Sequence, residues 1–193
     1  MESLEKRILL DCEAVTDEII KVSAFLDHKL DIRLLEEIGQ EFRRRFDDIA
    51  DKINMILTVE ASGIAIAAFT AKYFDYVPVV FAWKENPSSI KDGYYFTDVT
   101  NLGDRTLTAI CIEKKLLGDG DRCLIVDDIL AKGDDVLGLT LIAKEAGAEI
   151  LGAGIVIEKE FQKGGEKVRA RGIRVESLAV VTKIEKGHIY LKK

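Results

Sequence analysis

Hydrophobic residues recur at helical spacing near the start of the chain and gather into short runs further on. Residues 1–13 and 31–46 both have the spacing of an amphipathic helix, and Asp31 is expected to cap the second one. An apolar run, a glycine-containing turn and an alanine-rich segment come next, which predicts a strand, a loop and a helix in succession. These three elements fall at residues 55–59, 60–63 and 64–74.

Apolar runs alternate with helical spacing over the rest of the chain. The run CLIVDD at residues 123–128 is apolar until it ends in two acids, and the helix predicted after it stops at Gly147. The polar stretch 83–101 carries turn signals and is expected to be irregular. Strands that alternate with helices and are apolar on both faces predict a parallel sheet covered by helices on each side. Further strands are predicted at residues 77–82, 105–112, 150–157, 173–183 and 188–192.

The composition indicates the class of protein and argues against some kinds of partner. The 193 residues are 48% hydrophobic and 32% charged, which is typical of one compact globular domain. The net charge is -6 and the chain has no basic block, so nucleic acid is not expected as a partner. A charged N-terminus and the lack of any apolar run of about 20 residues predict no membrane association and a cytoplasmic location. The odd count of three cysteines fits no disulfide framework.

The strongest local signal for chemistry is LIVDDILAKGDDVLGL at residues 124–139. Asp127 and Asp128 end a buried strand, where open parallel sheets bind ligands. Residues 131–135 then lead into a helix, whose first amides and positive end suit a phosphate. Carboxylates for hydroxyls beside amides for phosphate indicate a sugar phosphate. The alternative is that the two acids are solvated or cap the helix, and spacing alone does not decide between the two.

The run VDD-x-x-A-x-G resembles the 5-phosphoribosyl 1-pyrophosphate (PRPP) motif of type I phosphoribosyltransferases. The resemblance covers nearly the whole chain and is nearest to the bacterial xanthine phosphoribosyltransferases. It implies a type I phosphoribosyltransferase α/β fold in one domain, 1–193, with a central parallel sheet flanked by helices and a small hood from about 1–30 and 160–193. The supporting segments are KVSAFLDHKLD (21–31), VEASGIA (59–65), VPVVFAWK (77–84), GIVIEKEFQ (154–162) and RVESLA (174–179).

The resemblance also implies a role for individual residues. Asp127 and Asp128 would hold the ribose hydroxyls, and the polar stretch 85–104 would close over the substrate. The 5-phosphate would be bound by Ala131, Lys132, Gly133, Asp134 and Asp135; the pyrophosphate by Glu60, Ala61, Ser62, Gly63 and Lys84; and the purine base by Ile20, Asp27 and Lys159, with Phe161 stacking on it. Mg²⁺ is the expected cofactor and would be held through the pyrophosphate, so no protein residue is named as its ligand.

The implied reaction joins a purine base to PRPP and releases pyrophosphate, in a homodimeric purine-salvage enzyme. Xanthine is the first candidate base, with guanine and hypoxanthine as others. Two departures bear on this prediction. The acids of AKGDD would face a phosphate dianion and weaken PRPP binding, and Asp27 is a fixed acceptor that would favour guanine over xanthine.

Two other functions are alternatives to this one. A non-catalytic PRPP- or nucleotide-binding regulatory protein would keep the fold and lose turnover. A receiver-type domain also uses an acidic pair for Mg²⁺, but its pair follows the first strand, whereas Asp127 lies deep in this chain. Apart from the resemblance, Lys159 beside Glu158 is equally well explained as half of a surface ion pair.

Overall fold

The protein is described here by a computed structural model that covers residues 1–90, 92–100 and 107–192. Its helices are α1 (Glu2–Asp11), α2 (Ile32–Arg45), α3 (Ser62–Ala71), α4 (Asp134–Ala146) and α5 (Gly164–Arg169). Its strands are β1 (Glu13–Ala14), β2 (Ile20–Lys21), β3 (Met55–Val59), β4 (Val79–Glu85), β5 (Tyr94–Thr100), β6 (Leu107–Glu113), β7 (Arg122–Leu130), β8 (Glu149–Lys159), β9 (Val175–Glu185) and β10 (His188–Leu191).

Within the described residues, eight strands form the main sheet in the order β10-β9-β8-β7-β3-β4-β6-β5. The strands from β9 to β4 run parallel, which confirms the predicted parallel centre. Both margins are antiparallel, where the sequence pattern predicts only parallel strands. At the β9–β10 margin the reason is the length of the connection, because a parallel pair needs a crossover of a dozen or more residues. The turn at Lys186 and Gly187 between β9 and β10 is far too short for that.

The polar stretch 83–101, expected to be irregular, contains strand β5. Alternate residues of β5 face opposite sides of the sheet, and Thr97 and Val99 pack on α4 where Gly138 lies. Polar residues alternating with Tyr, Phe and Val are typical of a strand, so the turn signals around residues 86–93 hid a regular element. The predicted substrate cover at 85–104 overlaps β5 and in part lies outside the described residues, and it stays a prediction.

Helices cover both faces of the central strands. On one face, α2 and α3 pack with Phe42 and Phe46, which are fully buried. A methyl group on Gly154 would lie 2.8 Å from the Phe42 ring, so glycine there lets α2 approach the sheet closely. The predicted cap of α2 is confirmed, since the Asp31 carboxylate accepts a hydrogen bond from the Leu34 amide at 3.1 Å. The opposite face is covered by α4.

The N-terminal segment packs at one end of the same core. Leu4 and Ile8 of α1 share a hydrophobic cluster with Leu178 and Ile184 of β9. The N-terminal ammonium donates to the Leu178 carbonyl at 2.8 Å, which ties the chain start to this strand. Strands β1 and β2 form a short antiparallel hairpin beside it, which the sequence pattern does not predict. This arrangement brings residues 13–21 next to the carboxyl end of β8.

Candidate active site

The acidic pair lies where β7 leaves the buried centre of the sheet. Residues 123–126 are fully buried, and Asp127 is only 7% exposed. The Asp127 carboxylate accepts the Asp128 amide at 3.0 Å, and the Asp128 carboxylate accepts the Ile129 amide at 2.7 Å. Burial raises the pKa of Asp127 well above its ordinary value, and the charges of Asp128 and Asp135 add to this. The pair is therefore partly buried and internally bonded, and not simply solvated.

The loop after β7 forms the floor of a cavity of about 170 Å³ at this end of the sheet. Gly133 takes a φ of +87°, a left-handed conformation that favours glycine, and it begins α4 without a side-chain cap. The first amides of α4 therefore have no capping side chain, which suits an anion. The cavity brings together Asp127, Ala131, Lys132, Gly133, Asp134 and Asp135 with Lys84 of β4.

Lys84 reaches the cavity from the neighbouring part of the sheet. Its ammonium lies 3.3 Å from Asp135 Oδ2, and both side chains are about a third or more exposed to solvent. Its backbone amide donates to Glu60 Oε1 at 2.7 Å. Glu60 begins the loop after β3, and its amide donates to the Ala82 carbonyl at 3.1 Å. Lys84 thus connects the two loops that the resemblance assigns to PRPP.

The loop at residues 60–63 passes close to the acidic pair. A methyl group on Gly63 would lie 3.6 Å from Asp127 Oδ1 and 2.1 Å from Thr58 Oγ1, so only glycine fits without a shift. The Glu60–Ala61 peptide bond is cis. Both loops follow parallel neighbours, β3 and β7, so their closeness follows from the sheet order. The predicted pyrophosphate and ribose residues are therefore neighbours in space.

Lys159 ends β8 and is almost completely buried, with 6% of its surface exposed. Its ammonium donates to the Glu18 carbonyl at 2.9 Å. Burial lowers the pKa of Lys159, although the charges of Glu18 and Asp128 oppose this shift. The alternative of a surface ion pair with Glu158 is wrong, because Glu158 is bound to Arg169. An ammonium has three N–H donors, so one that donates to a single backbone carbonyl can still donate to a ligand.

The other base-site residues differ in position. Ile20 is buried two residues from the Glu18 carbonyl, and Phe161 is partly buried two residues after Lys159. Phe161 is therefore close to Lys159 along the chain. Ile20 is close to it in space, because the Lys159 ammonium binds the carbonyl of Glu18. Asp27 sits on an exposed turn, with its carboxylate 4.0 Å from His28 Nε2. Its predicted contact with the base stays a prediction.

An ion pair between the buried Glu158 and the partly exposed Arg169, beside this site, is missing from the sequence-based prediction. Arg169 of α5 donates to both carboxylate oxygens of Glu158 at 2.8 Å, and Ser177 Oγ donates to the same group at 2.5 Å. Burial alone would raise the pKa of Glu158, but the hydrogen bonds from Arg169 and Ser177 hold it below its usual value. A charged residue in a buried run was the only sequence signal, and it does not identify its partner.

The helices of the described residues are all too short or too polar to span a lipid bilayer. In the same residues, no group of three or more His, Cys, Asp and Glu side chains is placed to hold a metal ion.

Comparison with known proteins gives the family. Residues 22–184 match the phosphoribosyl transferase domain family. A xanthine phosphoribosyltransferase 1 of Clostridium perfringens is 43% identical over 192 residues, and the alignment covers all of both chains. A xanthine phosphoribosyltransferase of Clostridium novyi is equally similar, at 43% over 192 residues and all of both chains.

Solved structures agree at the level of the fold. Adenine phosphoribosyltransferase of Saccharomyces cerevisiae has a TM-score of 0.74 at 18% identity, covering 92% of this chain and 99% of that one. The Giardia lamblia enzyme has a TM-score of 0.70 at 22% identity, covering 84% and 85%. Together with the family match over residues 22–184, this places the chain in the phosphoribosyltransferase family, with the type I α/β fold.

Proposed function

We propose that this protein transfers the 5-phosphoribosyl group of PRPP to a 6-oxopurine, with xanthine the first candidate, and releases pyrophosphate. The observation that carries the proposal is the 43% identity, over complete chains, to proteins named xanthine phosphoribosyltransferase. The cavity supports it, because its acids and amides are those that a ribose phosphate requires.

The proposed chemistry asks the protein mainly to position its substrates. As pyrophosphate leaves C1 of the ribose, positive charge grows on the sugar and negative charge on the leaving group. Asp127 and Asp128 would accept hydrogen bonds from the ribose diol, and their negative charge would favour the cationic ring. The Lys84 ammonium would stabilise the departing pyrophosphate. No side chain has to act as a nucleophile.

The 5-phosphate would be bound by the amides of residues 131–135. These amides lead into α4, which begins at Asp134 and whose positive end favours an anion. Ala131 and Gly133 are buried, whereas the Lys132 side chain is exposed and free to approach the phosphate from solvent. Asp134 and Asp135 add negative charge in the first turn, so the loop would bind phosphate through its backbone and less tightly than a neutral loop.

The base would bind at the end of β8, under a hood formed by about residues 1–30 and 160–193. Lys159 would turn its ammonium from the Glu18 carbonyl to an oxygen of the purine, and Phe161 would stack on the ring. The buried position of Lys159 supports this, because a hydrogen bond that its ammonium donates is strong where water is excluded. Asp27 would then decide between bases by accepting from a ring or exocyclic N–H.

Mg²⁺ is the cation that we propose for the reaction. Asp127 on the cavity wall, Asp128 next to it and Glu60 on the loop after β3 offer carboxylate oxygens, and Mg²⁺ usually takes one or two carboxylates together with phosphate oxygens. When bound, it would neutralise charge on the pyrophosphate. Its place is therefore between the substrate and these loops, and not in a separate protein site.

A homodimer and a cytoplasmic location complete the proposal. One face of β4 and β5 leaves Phe81, Trp83 and Phe96 between 37% and 50% exposed, and a second copy would cover them. Sedimentation of Trp83→Ser against wild type tests this, because an unchanged dimer would exclude that face as the dimer interface.

The cysteines support a reducing compartment, since all three are free and Cys111 and Cys123 are buried.

Turnover with purified protein tests the function. Xanthine, guanine, hypoxanthine and adenine are each supplied with PRPP and Mg²⁺, and nucleoside monophosphate and pyrophosphate are measured. We expect product from xanthine or another 6-oxopurine and none from adenine. Binding of PRPP without turnover of any base would overturn the proposal and favour a regulatory role.

A further inference from the structure

We infer that the Arg169–Glu158 ion pair is a positioning device for the phosphate loop, acting through helix α5. The inference rests on the proposed function, because it concerns how the PRPP site keeps its shape. The Arg169 guanidinium donates to Glu158 and to the Val175 carbonyl, and its hydrogen bonds among the described residues do not include the loop at residues 131–133. Its ion pair with Glu158 fixes the position of α5, and the contact between α5 and the loop fixes the position of the loop.

The contact between α5 and the loop is made by backbone atoms. The Gly164 amide donates to the Ala131 carbonyl at 3.0 Å. A methyl group on Gly164 would lie 2.2 Å from that carbonyl oxygen and 2.7 Å from the Gly133 nitrogen, so the two segments touch without an intervening side chain. A methyl group on Gly133 would in turn lie 3.2 Å from both the Gly164 carbonyl oxygen and the Val168 side chain. Any displacement of α5 is therefore passed directly to the loop.

The ion pair fixes the other side of α5 to the sheet. A methyl group on Gly165 would lie 1.9 Å from Glu158 Oε1 and 2.5 Å from the Arg169 guanidinium, so the ion pair runs directly under the start of the helix. Arg169 binds both oxygens of Glu158, and this bidentate geometry fixes direction as well as distance. Ser177 on β9 holds one of the same oxygens. Glu158 is 4% exposed, so it stays on the rigid end of β8.

A helix of six residues needs such an anchor. Isolated helices this short are unstable in water, so α5 depends on its tertiary contacts. Val168 is buried and supplies an apolar contact, but apolar contacts are not directional and do not set the rotation of the helix about its axis. The bidentate pair with Glu158 does so, and thereby sets where Gly164 meets the loop.

The test separates positioning from stability by comparing two arginines. Arg169→Met removes the pair under α5, and Arg169→Lys keeps the charge without the bidentate geometry. Arg174→Met is the matched control, because Arg174 also binds both oxygens of a carboxylate, that of Asp48, at 2.7 and 2.9 Å. For each variant we measure kcat, the KM for PRPP, the KM for the base, the thermal unfolding midpoint and ribose 5-phosphate binding by calorimetry.

Arg169→Met is expected to raise the KM for PRPP and the Kd for ribose 5-phosphate on the order of tenfold to a hundredfold, because small misplacements of a binding loop are costly. The KM for the base should stay within about twofold, and Arg169→Lys should lie between Arg169→Met and wild type. Arg174→Met should lower the unfolding midpoint and leave both phosphate constants unchanged.

A lower unfolding midpoint in Arg169→Met with wild-type phosphate constants overturns the inference. So does an equal rise in both KM values. If Arg169→Met does not fold, Gly164→Ala replaces it as the test of whether α5 positions the loop. Its methyl group would displace the loop from α5 while the Arg169–Glu158 ion pair remains. It should weaken ribose 5-phosphate binding, and unchanged binding would refute the inference. A wild type that binds ribose 5-phosphate but turns over no purine would refute the proposed function, and the binding comparison would still decide the inference.

Discussion

Asp135→Asn is the variant that tests how charge is balanced in the phosphate loop. The Asp135 carboxylate lies in the first turn of α4, on the wall of the cavity, and is paired with the Lys84 ammonium at 3.3 Å. Replacing it with the amide keeps its shape and removes one negative charge. It also frees Lys84 to face the pyrophosphate. Both effects act in the same direction, so we expect PRPP to bind more tightly.

The size of the effect follows from the charges involved. At about 7 Å and an effective dielectric constant of about 40, two unit charges interact by roughly 1 kcal/mol, so one carboxylate facing a phosphate dianion costs about 2 kcal/mol. Such a change corresponds to roughly thirtyfold in affinity. The lost ion pair with Lys84 is partly exposed and stabilises the fold by less than about 1 kcal/mol, so unfolding should change little.

Calorimetric titration with PRPP and Mg²⁺ at low ionic strength measures the gain. It should shrink as salt is added, because the charges are partly exposed and screening weakens their interaction. Glu185→Gln is the matched control, because Glu185 is paired with Lys183 at 3.0 Å on the β9–β10 hairpin. It should leave PRPP binding unchanged. Weaker binding by Asp135→Asn would refute the reasoning and would mean that the carboxylate is needed to hold Lys84 in place.

Further predictions concern the acids and the thiols. Asp128→Asn should lower kcat by about a hundredfold or more without changing the urea unfolding midpoint, and an active variant would contradict its role at the ribose. Because the pKa of Asp127 is raised, the folded state keeps this proton at a pH where the unfolded state has lost it, so stability falls as pH rises above about 3.8. Asp127→Asn should therefore be more stable than wild type in urea unfolding at pH 8, with the gain lost near pH 3, and equal stability at both would refute the assignment. Burial raises the pKa values of Cys12 and Cys123 to about 12, so a thiol reagent at pH 8 should modify them much more slowly in the native protein than in urea.

The elements that a local pattern determines could be predicted from the sequence. Residues 123–126 of β7 are apolar up to Asp127, and Gly147 ends α4 with a φ of +81°, as its position suggests. These signals depend on neighbours along the chain, so they can be read without the fold. The same signals place the acidic pair near the end of a central strand, but the predicted end at Asp128 is wrong, because β7 continues to Leu130 and pairs there with β8.

Features that depend on distant contacts could not be predicted in this way. Arg169 meets Glu158 because α5 folds back on β8, and no spacing indicates that pair. The hydrogen bond from Lys159 to the Glu18 carbonyl joins residues 141 positions apart. Lys159 itself was found only through the resemblance, since a lysine at a strand end is usually exposed. Strand β5 was missed because turn residues precede it and its pairing partner follows it.

A crystal structure with a saturating nucleoside monophosphate tests the central claim most directly. We predict that the phosphate accepts hydrogen bonds from the amides of residues 131–135, while the ribose diol donates to Asp127 and Asp128 and the purine lies against Lys159. A nucleotide bound elsewhere, with this corner of the sheet empty and both aspartates turned to solvent, would contradict the claim.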